Sequence, residues 1–406
     1  MEKRRIVGRI YAAEDTPSGR GRRLTIEIDA VLVSDAGLDP HLLKADSALQ
    51  NFALVRVSNT GRRFSEVFGI DAEAIGEGAW LFLEIGARED RSLRANIAVL
   101  GPTGYAQATD VWVSRGEYLF SDGPEDSRPF PGGAGIPDQR SVANDLHRSC
   151  GLPYPDEHAL ADVERTLAAV GAPSHLKVHD VGQASFVGLN DEAGEAKLYF
   201  DAGWPLIFNQ RTEPAHFAPR RVDFVVLSHW DFDHLLSGYR YPYLRKACWI
   251  VPDQKMGPGA RRFASLLERD GRLIVAFRDL DLGWGSIRQA GGLRNDANNS
   301  GLLFTITLQS GKQALLVGDA HYKFLRLPVS FRPDYLVATH HGASFEGDVP
   351  RPPFEGASCV VSVGKGNVYR HPKEEAIKAH KDAGWKLHYT THAGNVGGRG
   401  SRQLGP

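Results

Sequence analysis

The chain has 406 residues, 42% of them apolar, length enough for two or three domains with substantial cores. Its 48 basic residues balance 49 acidic ones, and no apolar run approaches the length of a membrane span, so neither a bulk polycation nor an integral membrane protein is expected. The start, Met1-Glu2-Lys3-Arg4-Arg5, runs into Ile6-Val7-Gly8 instead of an apolar signal segment. Three cysteines, Cys150, Cys248 and Cys359, stand far apart without CxxC spacing. The expectation is a cytoplasmic protein in a reducing compartment, without membrane contact, in which any metal is held by His and carboxylate.

Residues 1–121 carry short apolar runs with period-two alternation, such as Leu24 to Ile28, Phe52 to Val57, Trp80 to Ile85 and Ile97 to Leu100, which predicts a smaller, mainly β N-terminal domain. Asp122 to Gln139 then holds four Gly and four Pro in 18 residues, a composition that predicts a long loop or linker. A helix is expected over Asp156 to Val170, with Leu160, Val163, Leu167 and Val170 on one face and Pro173 beyond its end. Residues 122–175 are thus a linker and helix, and 176–406 a second domain.

In that second domain an apolar run repeatedly stops at small, polar, metal-competent residues. Leu198-Tyr199-Phe200 ends at Asp201-Ala202-Gly203, Phe224 to Leu227 at Ser228-His229-Trp230-Asp231-Phe232-Asp233-His234, and Ala314 to Val317 at Gly318-Asp319. Leu336-Val337-Ala338 ends at Thr339-His340-His341-Gly342, and Val360 to Val363 at Gly364-Lys365-Gly366-Asn367. Sites in layered α/β proteins gather at the carboxyl edge of the sheet, so these five clusters are expected to meet.

The densest of them is His229-x-Asp231-x-Asp233-His234. Carboxylates and imidazoles so close together are costly to desolvate unless a cation neutralises them. A His and carboxylate set suits a catalytic site with an open position better than a structural zinc, which favours cysteine. The plainer alternative is a solvated acidic turn with a helix-capping Asp.

This run resembles the second motif of the metallo-β-lactamase superfamily, with Asp231 in place of a His, the form found in the hydrolase domain of ComEC-like competence proteins. Asp180-Val181-Gly182-Gln183, Phe200 to Gly203, Val317-Gly318-Asp319, His340-His341-Gly342-Ala343, and Ser362-Val363-Gly364 through Asn367, Tyr369, His371 and Pro372 match the family's other motifs in order. The likeness covers residues 176–395 and leaves 1–170 aside. It implies a four-layer αββα sandwich and two divalent metal ions, zinc or manganese. By the family's pattern His229 and Asp231 serve one ion, Asp233, His234 and one of His340 and His341 the other, and Asp319 bridges them. Asp201 is expected to orient ligands without touching metal. The sequence departs from the pattern in one respect, since no His lies between His234 and Asp319, where Asn295, Asp296, Asn298 and Asn299 stand instead. The first ion is then weakly held, or only one binds. His321 is read as a neighbour of a helix start, and His179, His216, His380, His388 and His392 as structural or solvent-facing.

Paired cations lower the pKa of a shared water and stabilise charge on an attacked oxygen, which predicts a hydrolase with Asp233 and Asp319 in its catalytic machinery. His371, before Pro372, is expected to join them in a substrate or proton-transfer role, the plainer alternative being a surface-loop His. Residues 361–406 hold eight Lys/Arg against Glu374, Glu375 and Asp382, and this favours an anionic substrate. Part of that charge, Lys373 to Lys386, reads as the wet face of a helix. Lys365, Asn367 and Arg370, in the loop leading to His371, are the expected substrate contacts. The leading expectation is a phosphodiesterase acting on nucleic acid or nucleotides. The alternatives are a hydrolase of small esters, thioesters or lactams, and a non-catalytic binding module on the same fold.

Overall fold

The structure, a computed structural model, describes residues 3–18, 21–34, 41–44, 46–105, 107–121, 137–328, 330–391 and 398–406. Helices follow one another along the chain as α1 (Gly61–Phe68), α2 (Pro137–Ser149), α3 (Glu157–Val170), α4 (Phe232–Leu235), α5 (Ser237–Arg240), α6 (Pro258–Arg269) and α7 (Glu374–Asp382). The chain divides into two compact units, Met1–Leu152 with Lys255–Leu266, and Pro153–Gln254 with Leu267–Pro406.

In the first unit, strands β1 (Arg4–Ser18), β2 (Gly21–Val33), β3 (Phe52–Thr60), β4 (Ala79–Gly86), β5 (Leu93–Gly101) and β7 (Thr109–Ser121) pair antiparallel in the order β3-β2-β1-β4-β7-β5, while β6 (Gly104–Tyr105) extends β5 as a short hairpin. β5 also pairs with β3, which closes six strands into a barrel. Closure removes the exposed edges that a sheet of this length would otherwise offer to another chain. Alternate residues such as Ile26, Ile28, Val55, Val57, Leu81 and Leu83 fill one core, with Phe64 and Phe68 of α1 against them. Asp29, buried on β2, accepts the backbone N–H groups of Gly259 (2.8 Å) and Ala260 (3.1 Å), so a strand carboxylate caps the first turn of α6.

The second unit contains β8 (His175–Val178), β9 (Phe186–Asn190), β10 (Ala196–Ala202), β11 (Phe224–Val226), β12 (Cys248–Pro252), β13 (Leu273–Ala276), β14 (Leu280–Asp281), β15 (Gly285–Gln289), β16 (Leu302–Thr307), β17 (Gln313–Leu316), β18 (Tyr335–Val337), β19 (Ala357–Val361), β20 (Trp385–Tyr389) and β21 (Arg402–Leu404). They form two mixed sheets, ordered β13-β12-β11-β10-β9-β8-β21 and β14-β15-β16-β17-β18-β19-β20. Within the first sheet β10 to β13 run parallel, and within the second β17 to β20 do. One core takes Leu198, Phe200 and Val226 from the first sheet and Phe304, Leu316 and Val360 from the second. Leu303, Leu315, Val317 and Val361, one position out of phase, enter a separate core with Trp385.

The mainly β expectation for the N-terminal region agrees with the barrel, and the α/β expectation with the two mixed sheets. α3 begins one residue after Asp156, whose side chain accepts the N–H groups of His158 (2.9 Å) and Ala159 (3.1 Å). Residues 122–136 of the expected linker lie outside the described residues, but α2 starts at Pro137, inside the stretch expected to stay non-helical. Proline is tolerated there because the first turn has no helical partner for its missing N–H. Among the described residues no helix is long and apolar enough to cross a membrane.

The parallel runs position the site. β10 and β11 are neighbours in one sheet and β17, β18 and β19 in the other, so each group delivers its carboxyl ends together. Gly203 sets how closely β10 approaches the start of α4, since a Cβ on it would lie 1.8 Å from the Asp233 carbonyl oxygen and 2.5 Å from that of Ser185. Gly203→Ala is therefore expected to cost about 3 kcal/mol, at the upper end of overpacking penalties. Urea unfolding measures this, and an unchanged midpoint would contradict the close approach.

Candidate metal centre

Beyond β11 the chain turns at Ser228-His229-Trp230-Asp231 and enters α4. Asp231 occupies the N-cap position of that helix, yet its side chain caps nothing. Its Oδ2 instead lies 3.4 Å from His229 Nε2. The helix-capping alternative for this carboxylate therefore fails.

Asp201, at the end of β10, is fully buried and orders the whole turn. Its Oδ1 accepts the Ser228 backbone N–H at 2.7 Å, while its Oδ2 accepts the Ser228 hydroxyl at 3.1 Å and His234 Nδ1–H at 2.8 Å. The Ser228 oxygen in turn lies 2.9 Å from His229 Nδ1. On β18's continuation, His341 Nδ1–H donates to the Ser362 carbonyl oxygen at 2.8 Å. Each ring thus has its Nδ1 engaged outward, which leaves Nε2 facing inward. Asp201 holds ligand candidates in place through hydrogen bonds, as expected for it.

The inward nitrogens of His229, His234 and His341 are buried and make no hydrogen bond. They surround Asp319, whose two oxygens face different neighbours. Oδ2 is 3.8 Å from His229 Nε2 and 3.5 Å from His340 Nε2. Oδ1 is 3.2 Å from His234 Nε2 and 4.0 Å from His341 Nε2. Asp231 lies on the His229 side, and Asp233 on the other, with Oδ2 3.2 Å from His341 Nε2. Two overlapping sets, His229–His234–Asp319 and Asp233–His234–His341, bring one donor atom from each residue within 4.8 Å of the others. Buried donor atoms this close without hydrogen bonds among them have the chemistry of a cation site.

The electrostatics agree. Burial works to raise the Asp319 carboxyl, but the charges of His340, His234 and His341 outweigh it and hold the group well below the ordinary carboxylate range. Burial likewise opposes ionisation of Asp233, and His341 and His234 overcome it. Burial lowers His234, yet Asp319 and Asp201 on either side lift it well above its usual 6.5. His371 is pushed down to about 3, by burial first and by the His341 charge second, so its ring is neutral near pH 7.

Sequence reasoning placed His229, Asp231, Asp233, His234, Asp319, His340 and His341 together, and the structure brings all seven side chains to one place. It did not foresee that His340 and His341 divide between the two Asp319 oxygens, with His340 on the same side as His229. Both residues have left-handed backbones, φ 48° and 53°, which throw consecutive side chains to different sides of the carboxylate. In the Asn-rich segment Asn299 is internally engaged, accepting the His321 N–H at 2.8 Å and donating to Asp296 at 2.9 Å. His321 stands at the N-cap of a short 3₁₀ turn. His179 packs among Phe186, Tyr199 and Phe217, His380 bonds the Tyr322 hydroxyl, His216 is exposed, His388 is partly exposed, and His392 lies outside the described residues.

His371 belongs to the same cluster through His340, the ring centroids being 5.6 Å apart. Its loop is held from within. Asn367 donates to the carbonyls of Gly364 and His371, both at 2.8 Å, and accepts the His371 N–H at 3.0 Å, so its amide braces its own loop. Gln183, from the opening motif, accepts the Gly364 N–H at 3.2 Å and presents its amide nitrogen to His371 Nδ1 at 3.5 Å. Lys365 and Arg370 are exposed on this loop.

Comparison with known proteins gives no match, either to a protein family or to a curated relative.

Asp201→Asn keeps the side chain's size but offers His234 Nδ1 an amide donor, which favours the opposite tautomer. Affinity for Zn²⁺ or Mn²⁺ should fall roughly ten- to a hundredfold by competition titration, and unchanged affinity would remove the orienting role. Metal must also displace the proton that His234 retains above pH 6.5, so affinity should rise with pH through that range, by up to about tenfold per unit. A flat profile across the neutral range would contradict it.

Proposed function

We propose that the chain is a metal-dependent phosphodiesterase acting on nucleic acid or nucleotides, with the four-layer αββα arrangement of the metallo-β-lactamase superfamily. The observation that carries the reading is the buried Asp319 carboxylate with imidazoles on each oxygen and two further carboxylates beside them. The set fits two divalent ions, one near His229, Asp231 and His340, the other near Asp233, His234 and His341, with Asp319 common to both. The mixture of imidazole and carboxylate suits zinc or manganese. Bound there, such ions polarise a phosphoryl oxygen and lower the pKa of water.

The chain's own residues supply orientation and proton placement. Asp201 and Ser228 fix which nitrogen of His234 and His229 faces the centre, and Ser362 does so for His341. Because Gln183 Oε1 is engaged with Gly364, its amide nitrogen faces His371 Nδ1, which leaves the proton of the neutral ring on Nε2. His371 then donates a hydrogen bond to an oxygen on which negative charge develops. The exposed cations Lys365 and Arg370, on the loop that ends at His371, favour a phosphate-containing substrate over a neutral ester or lactam.

Elemental analysis of the purified protein, paired with turnover of phosphodiesters in Mn²⁺ and Zn²⁺, tests this. The expected result is at least one bound metal per chain and hydrolysis that Asp233→Ala or His234→Ala lowers at least about a thousandfold while unfolding stays cooperative. Thioester turnover without phosphodiester turnover would favour the small-ester alternative, and metal well below one per chain a binding module. Asp231→His, which exchanges a hard ligand for a softer one, should raise zinc affinity and lower manganese-supported rates. An unchanged preference would show that Asp231 is not a ligand.

A further inference from the structure

Arg211 is far in sequence from the closing loop, but the structure places its guanidinium against it. Its Nε and Cζ lie 3.8 Å and 4.0 Å from the position a Cβ on Gly366 would take. Arg211 is exposed, as are Lys365 and Arg370 on either side of the Gly366-Asn367 turn. Among the described residues none of the three enters an ion pair or donates a side-chain hydrogen bond. Arg211 thus stands against a loop that carries two further exposed cations, and a surface with this local excess of positive charge attracts an anion.

The support beneath them is rigid. On the Arg211 side, Asn209 Oδ1 accepts the Val368 N–H at 2.8 Å, Thr212 Oγ1 accepts the Gln183 N–H at 3.0 Å, and the Thr212 carbonyl accepts Arg399 Nη2–H at 2.7 Å. On the loop side, Asn367 makes its three internal bonds, and Arg370 is held at φ 60°, a left-handed conformation that glycine or asparagine would adopt more cheaply. The same loop runs directly to His371, beside the metal centre.

We propose that Arg211, Lys365 and Arg370 form a phosphate clamp that binds the backbone of a single-stranded nucleic acid outside the phosphate under attack. This rests on the phosphodiesterase reading and deepens it. One scissile phosphate facing the metal ligands has no need of two further cations on the neighbouring loop and a third beside it, whereas a strand carries its next phosphates past that loop. Guanidinium groups can pair two parallel N–H donors with phosphate oxygens, which makes Arg211 and Arg370 suited to such contacts.

The test is fluorescence anisotropy of a labelled single-stranded 12-nucleotide DNA, in EDTA so that nothing is cleaved, with the full chain and the variants Arg211→Ala, Arg211→Lys and Lys381→Ala. Lys381→Ala removes one exposed charge from α7 and controls for bulk electrostatics. The expected result is a tenfold or greater loss of affinity for Arg211→Ala, a smaller loss for Arg211→Lys, and less than twofold for Lys381→Ala. The slope of log K against log salt should fall in magnitude by about 0.7 in Arg211→Ala, one phosphate contact on a single strand. No binding by the wild type, no loss in Arg211→Ala, or equal loss in Lys381→Ala would each overturn the clamp. Binding that depends on Arg211 in a protein that cleaves no phosphodiester in any metal would keep the clamp and overturn the catalytic reading.

Discussion

The second unit is organised around one buried carboxylate that faces imidazoles on both of its oxygens. Taking Asp319 out of water costs several kcal/mol unless compensating groups meet it, and the chain surrounds it with the His229 and His340 rings on one side and His234 and His341, both lifted above the usual imidazole range by neighbouring carboxylates, on the other. Packing alone would solve the same problem more cheaply with an apolar side chain, so the cluster answers a requirement other than stability. Everything that converges on it comes from strand ends. The parallel runs β10–β11 and β17–β19 are what allow residues more than a hundred positions apart to share one carboxylate.

A second layer of interactions decides which atoms face that carboxylate. Asp201 anchors Ser228 and His234 together, and Ser362 anchors His341, so the rings hold one orientation. Strain collects in the same places. Asp201, His340, His341 and Arg370 all have left-handed backbones, each costing roughly 1–3 kcal/mol by the usual range for such outliers. The surrounding structure supports them with hydrogen bonds such as those of Asp201 to Ser228 and His234, and with cores on both faces of the second sheet. Where the chain cannot tolerate even a methyl group, as at Gly203 against Asp233, the constraint again serves the position of a ligand candidate.

Much of this was legible in the sequence because two local signals coincide. Leu198 to Phe200, Phe224 to Leu227 and Ala314 to Val317 are apolar enough to be buried strands, and each stops abruptly at residues that packing cannot explain. What escaped was long-range or conformational. Nothing local in Phe52 to Thr60 or Leu93 to Gly101 announces that these strands pair and close the barrel. The cap that Asp29 places on α6 joins positions 230 residues apart, a relation no sequence window contains. From sequence only one of His340 and His341, by preference His341, is expected to be a ligand, because their separation to two sides of Asp319 depends on two left-handed residues in succession, a conformation that consecutive non-glycine residues rarely share. Arg211 carries no motif at all, and only the docking of Asn209 on Val368 brings it to the loop of Lys365 and Arg370. Asn367 looked like a substrate contact by its place in a polar turn, whereas its amide is engaged by the backbone of its own loop.

The division of the imidazoles around Asp319 is the claim on which the functional account turns, and anomalous diffraction from crystals soaked in Mn²⁺ measures it most directly. The account predicts two anomalous peaks, one beside His229, Asp231 and His340, the other beside Asp233, His234 and His341, with Asp319 between them and both peaks lost in Asp319→Ala. A single peak that survives Asp319→Ala, or no peak at this cluster, would contradict it.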